Sequence, residues 1–188
     1  MQRDAKGIVT SRREIGTTTT PGADDYTVLG QAFPDFEASA HGELSMGPVD
    51  LSFLVRGQFG NQMFNNTALV YSTKGNALQS KNFLRSALTD PTGIKEPSVF
   101  SSRWIEDASF IRGQNATVAY NLPRTLPQLA SARLYASVDN LFLMTDYTGV
   151  DPEVANARAG GSNLEQPGID NPHYPTPRTF TAGIQLDF

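Results

Sequence analysis

The residues able to do chemistry are few, and their spacing points away from catalysis. There are two histidines, His41 and His173, and no cysteine. Two imidazoles make a metal site only with several carboxylates placed nearby, so no metal is expected. His41 falls on the polar side of an alternating segment and is expected to be a polar wall residue. His173 sits in a Pro-rich stretch and is expected to be exposed. Asp151-Pro152-Glu153 brings two carboxylates close in sequence. An acid–base pair needs a cleft and separated pKa values, whereas the proline between them favours a turn or loop-capping role. No Gly-rich phosphate loop follows a strand and opens a helix. No grouping of Ser, His and Asp offers a nucleophile. The expectation is a protein that is not an enzyme, with no catalytic residues and no cofactor.

Binding is left as the possible chemistry. Phe64, Tyr71, Tyr147 and Tyr174 lie in long irregular stretches, where exposed aromatics are candidates for contact with a ligand or partner. Arg56, Arg133, Glu37, Glu43 and Asp139 occupy polar sides of alternating segments. They are expected to form a solvated, hydrogen-bonded wall rather than a defined binding set.

Strands must position these residues. Phe36, Ala38, Ala40, Gly42, Leu44 and Met46 share one parity, and Glu37, Ser39, His41, Glu43 and Ser45 the other. That is the period of a strand with one apolar and one polar side. Gly47-Pro48 makes a tight turn. Alternation resumes with Val49, Leu51, Phe53, Val55, Gly57 and Phe59 against Asp50, Ser52, Arg56 and Gln58, with Leu54 as the exception. The two segments read as a hairpin. Residues 61–102 form a long excursion with weak helical patterns at 63–71 and 77–88. A third strand covers 104–121, but its phase breaks: Ile111 fits one parity and Ala116, Val118 and Tyr120 the other. A bulge near 113–115 repairs this. After a short Pro-rich turn, Ala132, Leu134, Ala136, Val138 and Phe142 mark a fourth strand, with Arg133, Tyr135, Ser137 and Asp139 opposite. A second excursion spans 144–175. The last strand, 177–188, sets Phe180, Ala182, Ile184, Leu186 and Phe188 against Thr179, Thr181, Gly183, Gln185 and Asp187. Residues 1–34 read as loop.

The fold class is therefore all-β: five antiparallel strands, joined by connections that run short, long, short, long. Bacterial outer-membrane barrels have this rhythm, with short periplasmic turns and long extracellular loops. A soluble β-sandwich alternates in the same way, so the pattern alone leaves both open. Composition narrows the classes. Hydrophobic residues make up 39% and charged residues 18% of the 188, enough apolar content for ordered structure. The formal net charge is -4 without a basic cluster, so nucleic acid is not an expected partner. No stretch approaches the ~20 apolar residues of a membrane-spanning helix, but barrel strands need only ~9–11 residues with every second one apolar. Residues 1–13 lack an apolar signal region. If the protein is exported, a signal is expected upstream of Met1.

The C-terminal octet Thr181-Ala-Gly183-Ile-Gln-Leu186-Asp-Phe188 resembles the terminal assembly signal of outer-membrane barrels: polar, any, Gly, any, any, apolar, any, aromatic. Longer blocks resemble the SusC/RagA class of TonB-linked transporters. They are Leu29-Gly-Gln-Ala-Phe-Pro-Asp-Phe36, Gly57-Gln-Phe-Gly-Asn-Gln-Met-Phe-Asn65, and Ser102-Arg-Trp-Ile-Glu-Asp-Ala-Ser-Phe-Ile-Arg112 with Asn115-Ala-Thr-Val-Ala-Tyr-Asn-Leu-Pro123. Arg133-Leu-Tyr-Ala-Ser-Val-Asp-Asn-Leu-Phe142 and Tyr147-Thr-Gly-Val-Asp-Pro-Glu153 follow, then Gly168-Ile-Asp-Asn-Pro-His-Tyr-Pro-Thr-Pro-Arg-Thr-Phe180. The blocks run in family order over roughly 26–188. Gly113 departs from the family's larger apolar residue, and Ala119 from its usual Gly.

This resemblance implies the C-terminal part of a large transmembrane β-barrel in the bacterial outer membrane. Residues 1–34 would be an extracellular loop and 35–188 barrel strands. The implied activity is import of a glycan or peptide oligomer. The implied partners are the lipid bilayer, a SusD-like lipoprotein and TonB, the last two reached through parts of the family's chain that the match does not include, such as the plug. Thr181, Gly183, Leu186 and Phe188 would be the assembly signal, and Tyr120, Phe142 and Phe180 an aromatic girdle at the membrane interfaces. The rival expectation is a small soluble β-domain that binds carbohydrate or a partner protein, with its apolar faces packed together.

Overall fold

A computed structural model describes residues 2–3, 9–10, 28–74, 82–89, 100–123, 131–153, 167–170 and 174–187. In chain order the strands are β1 (Gln2–Arg3), β2 (Val9–Thr10), β3 (Phe36–Met46), β4 (Val49–Phe59), β5 (Gln62–Asn65), β6 (Ile105–Asp107), β7 (Phe110–Leu122), β8 (Ser131–Thr145), β9 (Ile169–Asp170) and β10 (Thr179–Asp187). Two short helices, α1 (Asn66–Tyr71) and α2 (Ser86–Thr89), lie in the first excursion. The chain divides into two compact units.

One unit comprises Pro34–Gly60, Ser109–Asp146 and Pro175–Phe188. It is a five-stranded, wholly antiparallel sheet of order β10-β8-β7-β4-β3. β3 and β4 pair residue for residue from Phe36↔Phe59 to Met46↔Val49. Their turn follows from two residues. Gly47 takes φ +59, which an L side chain resists. Pro48 is confined near φ −65°. Positive φ at the first central position only is the signature of a type II′ hairpin, whose twist matches that of its strands.

The break in parity along β7 is a bulge at Gln114. Against β4, the register steps from Leu54↔Asn115 to Val55↔Gly113. Against β8 it steps from Asn115↔Asp139 to Gly113↔Phe142, leaving Asn140 and Leu141 as the matching irregularity. Asn140 adopts φ +54, a region that Asn tolerates better than most side chains. The extra residue returns Ile111 and Gly113 to the side of Ala116, Val118 and Tyr120.

The other unit comprises Met1–Phe33, Asn61–Ala108 and Tyr147–Tyr174. Here β5 pairs antiparallel with β6 and parallel with β9, giving the order β6-β5-β9, and β1 pairs with β2. Strands of two to four residues carry no readable period, so the sequence gives no sign of them. The single strand expected over 104–121 is two: the chain passes from one unit to the other between Ala108 and Ser109, and Ala108 is fully buried. Met63, Ala108 and Tyr147 form a small core.

Polar side chains bind the two excursions into one body. The Glu106 carboxylate accepts from the Asn65 amide at 2.9 Å, the Thr148 backbone N–H at 2.8 Å and the Thr148 hydroxyl at 2.8 Å. Asn65 also caps α1, its Oδ1 accepting from the Ala68 N–H at 2.8 Å. The Tyr147 hydroxyl donates to Asp170 at 2.7 Å. Tyr147 is thus a correction to the sequence reading: at 5% exposure it is a core residue, not an exposed loop aromatic. Asp151 accepts from the Glu153 N–H at 3.0 Å, the turn-capping role its proline neighbour suggests.

Two outcomes are expected. Deleting Gln114 should turn Phe110–Gly113 over and carry Arg112 to the apolar side, whereas Gln114→Ala keeps the count. The deletion should abolish the heat-modifiable folded band on gels and the substitution should leave it. Burial first, and the Asp170 hydrogen bond second, push the Tyr147 phenol well above its ordinary range. The folded unit therefore keeps a proton that the unfolded chain releases, and it loses stability as pH climbs above about 10. Hydrogen exchange at the Phe64 amide, bonded to the Gly168 carbonyl at 2.7 Å, reads this. Its protection should fall with alkaline pH, and Tyr147→Phe should remove that fall while weakening protection at neutral pH by about 1.5–3 kcal/mol.

Candidate functional site

The register of the five-stranded sheet turns sequence alternation into two continuous faces. Residues Met46, Val49, Tyr120, Leu134 and Ile184 are paired in one row across all five strands. Leu44, Leu51, Val118, Ala136 and Ala182 form the next row, and Gly42, Phe53, Ala116, Val138 and Phe180 the one after. This apolar face is uncovered: Phe53 is 50% exposed, Met144 63% and Ile184 66%. Folded monomers in water rarely leave a contiguous apolar surface of this kind open. A sandwich would need a second layer on it, and these side chains have none. Both short connections leave the sheet at one end, and both long excursions leave it at the other. The strands have 11, 11, 13, 15 and 9 residues, matching or exceeding the ~9–11 that cross a bilayer at a tilt. Among the described residues no helix is long and apolar enough to cross a membrane.

The opposite face is polar and knitted by hydrogen bonds. Asp50 accepts from the Ser45 hydroxyl and the Asn121 amide, both at 2.8 Å, and lies 3.5 Å from the Arg133 guanidinium. Asn115 donates to Asp139 at 2.7 Å, Gln58 to Glu37 at 2.7 Å and Arg56 to Gln114 at 2.9 Å. Ser131 donates to Asp187 across the β8–β10 pair. His41 Nε2 lies 3.5 Å from Glu43, its neighbour on the same face. Arg56, Arg133, Glu37, Glu43, Asp139 and His41 all stand where the alternation sets them, as parts of a wall. Sequence reasoning missed Arg112, only 2% exposed, which donates to Asn140 at 2.8 Å. Its buried place follows from the bulge, and the broken parity was the only signal.

Tyr120, Phe142 and Phe180 lie on the apolar face. Tyr120 is beside Leu134 near the short-turn end, Phe142 beside Gly113 near the excursion end, and Phe180 beside Val138 in the middle of β8. In β10, Thr181 faces Ser137 on the polar side, and Leu186 faces Ala132 on the apolar side. Phe188 and His173 lie outside the described residues. Phe64 is in a tilted ring pair with Phe100, centroids 4.6 Å apart, Tyr71 is half-buried, and Tyr174 is almost fully exposed.

Three glycines share one device. A Cβ on Gly183 would come within 2.5 Å of the Tyr135 ring, one on Gly113 within 2.6 Å of Phe142, and one on Gly42 within 2.5 Å of Phe53. In each case the aromatic is the glycine's paired residue on the next strand. The ring lies over the bare backbone. Gly113 is thus covered by its partner's ring, and the glycine of the terminal octet receives one in the same way.

Comparison with known proteins agrees with this geometry. No family model matches the chain. The TonB-dependent receptor P3 of Formosa agariphila is 31% identical over 176 residues, which is 87% of this chain and 17% of that receptor. The TonB-dependent receptor SusC of Bacteroides thetaiotaomicron is 31% identical over 150 residues, 74% of this chain and 14% of that protein. The solved structure of the RagAB peptide transporter matches with a TM-score of 0.72 at 25% identity, covering 91% of this chain and 19% of its counterpart. The chain therefore spans less than a fifth of the length of these relatives. Over most of its own length it is a SusC/RagA-like segment of the TonB-dependent receptors.

Proposed function

We propose that the chain builds part of the wall of an outer-membrane β-barrel that imports an oligomeric nutrient, as the C-terminal portion of a SusC-like receptor. The observation that carries this is the uncovered apolar face backed by a polar one laced with hydrogen bonds. Lipid meets the first and the aqueous lumen the second. The edge strands β3 and β10 then pair with further strands of the barrel, because open edges are not tolerated in hydrocarbon. The long excursions and residues 1–34 face outward, the short turns face the periplasm, and 35–188 supplies the strands. Tyr120, near the short-turn end, and Phe142, near the excursion end, sit in the interfacial girdles, whereas Phe180, in the middle row, faces the hydrocarbon instead of the girdle expected for it. Thr181, Gly183, Leu186 and Phe188 guide assembly of the closing strand.

The relatives are receptors and a transporter rather than enzymes. By analogy with them, the substrate is a glycan or peptide oligomer, the lid is a SusD-like lipoprotein, and energy reaches the barrel through TonB. The test is made on the longest product of the open reading frame that contains this chain. It should fractionate with the outer membrane and support uptake of an oligomer only when TonB is present. Val138→Arg, in the middle of β8 on the apolar face, should cost about 2–4 kcal/mol of barrel stability. Ser137→Arg, on the polar face, should be tolerated. Equal effects of the two substitutions, or a water-soluble product, would overturn the reading.

A further inference from the structure

In the unit built from the two excursions, β5 alternates as a longer strand does. Met63 and Asn65 are buried on one side. Gln62 and Phe64 turn to the other, where Gln62 is exposed and Phe64 half-buried. Phe64 is flanked by its paired residues Ile105 and Ile169. The Phe100 ring leans on it, tilted by 54° with centroids 4.6 Å apart, and is itself 51% exposed. Residues 29–32 close one side. The Gln62 backbone N–H donates to the Gln31 carbonyl at 2.8 Å, and Gly168, at φ +79, lets Ala32 approach the start of β9. The result is a shallow pocket of about 240 Å³ whose lining includes Leu29, Gly30, Gln62, Phe64, Phe100 and Ile105. That falls short of the roughly 300–1,000 Å³ that encloses a whole small molecule, and suits one unit of an oligomer. Among the described residues no ionisable side chain lines it. The Gln62 carboxamide lies over the bare Cα of Gly30, where a side chain would collide with it. Among the described residues that carboxamide makes no hydrogen bond, so its donors and its acceptor face the pocket unused.

We infer that this pocket binds one neutral sugar ring of the oligomer, with Phe100 stacked on the sugar's C–H face and the Gln62 carboxamide bonded to adjacent hydroxyls. A pyranose has a face of polarised C–H bonds and a rim of hydroxyls. The negative π face of an aromatic ring attracts the first. A carboxamide donates and accepts at once, and two neighbouring hydroxyls answer both. The uncharged lining selects a neutral unit, because a carboxylate or ammonium set here would lose water and find no counter-charge. An apolar peptide side chain is the other partner that such a ring attracts. It gains most when enclosed on every side, in proportion to the area it buries. A sugar needs only one covered face and keeps its outer hydroxyls in water. A half-exposed ring at a shallow pocket therefore matches the sugar. The inference rests on the import reading and narrows its substrate. The residues come from distant stretches of the chain, and of the two aromatics only Phe64 stood out in the sequence.

The experiment uses the longest product of the reading frame, in a detergent without a sugar headgroup. Saturation-transfer NMR is recorded with short neutral homo-oligomers of glucose, galactose, mannose and xylose, and with a neutral leucine–serine peptide of equal length. At least one saccharide should bind more tightly than the peptide, with saturation strongest at the C–H protons of one ring face. Phe100→Ala and Gln62→Ala should each weaken that binding roughly two- to tenfold. Phe100→Trp should keep it. Leu88→Ala, at an exposed apolar residue of the same unit outside the pocket, should leave it unchanged. The folded-band assay confirms that the variants assemble. No saccharide binding, a peptide bound more tightly, or a saccharide affinity unchanged in either Ala variant at the pocket would overturn the inference. TonB-dependent uptake of a peptide in that case would leave the import reading standing.

Discussion

In hydrocarbon a backbone N–H or C=O has no water to turn to, and each one left unpaired costs several kcal/mol. For a sheet set in lipid, that constraint governs how its strands must pair. Its interior strands β8, β7 and β4 are paired on both sides, while among the described residues β3 and β10 each present one unpaired edge. Its apolar face is what a lipid environment would accept and water would not. The two facts reinforce one another. Lipid against this face would keep water from the sheet's outer side, and a dry outer side makes open edges intolerable. Continuation of the sheet by further strands satisfies both, whereas a stacked second sheet would cover the face and leave the edges open.

Much of this was legible in the sequence because a strand with two different environments must alternate. Leu44, Leu51, Val118, Ala136 and Ala182 could be assigned to one side by parity alone, and the register then joins them across five strands. Even the irregularity showed, since Ile111 and Ala116 cannot share a face without an extra residue between them. The excursion unit was illegible for the opposite reason. β5, β6 and β9 have two to four residues, and a period cannot be read from so few. Their cohesion comes from particular contacts, Glu106 to Thr148 and Tyr147 to Asp170, between residues 42 and 23 positions apart. Tyr147 read as an exposed aromatic because nothing nearby in sequence marks Asp170 as its partner. The pocket beside Phe100 is assembled from equally distant stretches.

The glycine–aromatic pairs show how the sheet keeps its surface continuous. A glycine in a strand interior leaves a gap and extra backbone freedom. At Gly42, Gly113 and Gly183 the ring of the directly paired residue fills that gap. Two of these pairs lie on the apolar face and one on the polar face, so the device serves the backbone rather than either solvent. It also makes the glycine and its aromatic a single unit for substitution: the ring needs the missing Cβ, and the bare backbone needs the ring.

The bulge does a second task beyond correcting parity. Arg56 and Arg112 stand directly opposite one another on β4 and β7, an arrangement of like charges that destabilises an ordinary sheet. Each guanidinium lies 5.6 Å from the centroid of the Phe110 ring, whose π face attracts cations. Each also donates to an amide oxygen, Arg56 to Gln114 and Arg112 to Asn140. Gln114 is the extra residue of the bulge, and Asn140 sits at the matching irregularity on β8 with φ +54. The residues that break the regular ladder are therefore the ones that hold the arginine pair. In a regular strand both amides would follow the alternation. The inserted Gln114 keeps Ile111 on the apolar side and supplies one acceptor, and Asn140 at the matching irregularity supplies the other, so two positive charges stand side by side on the polar face.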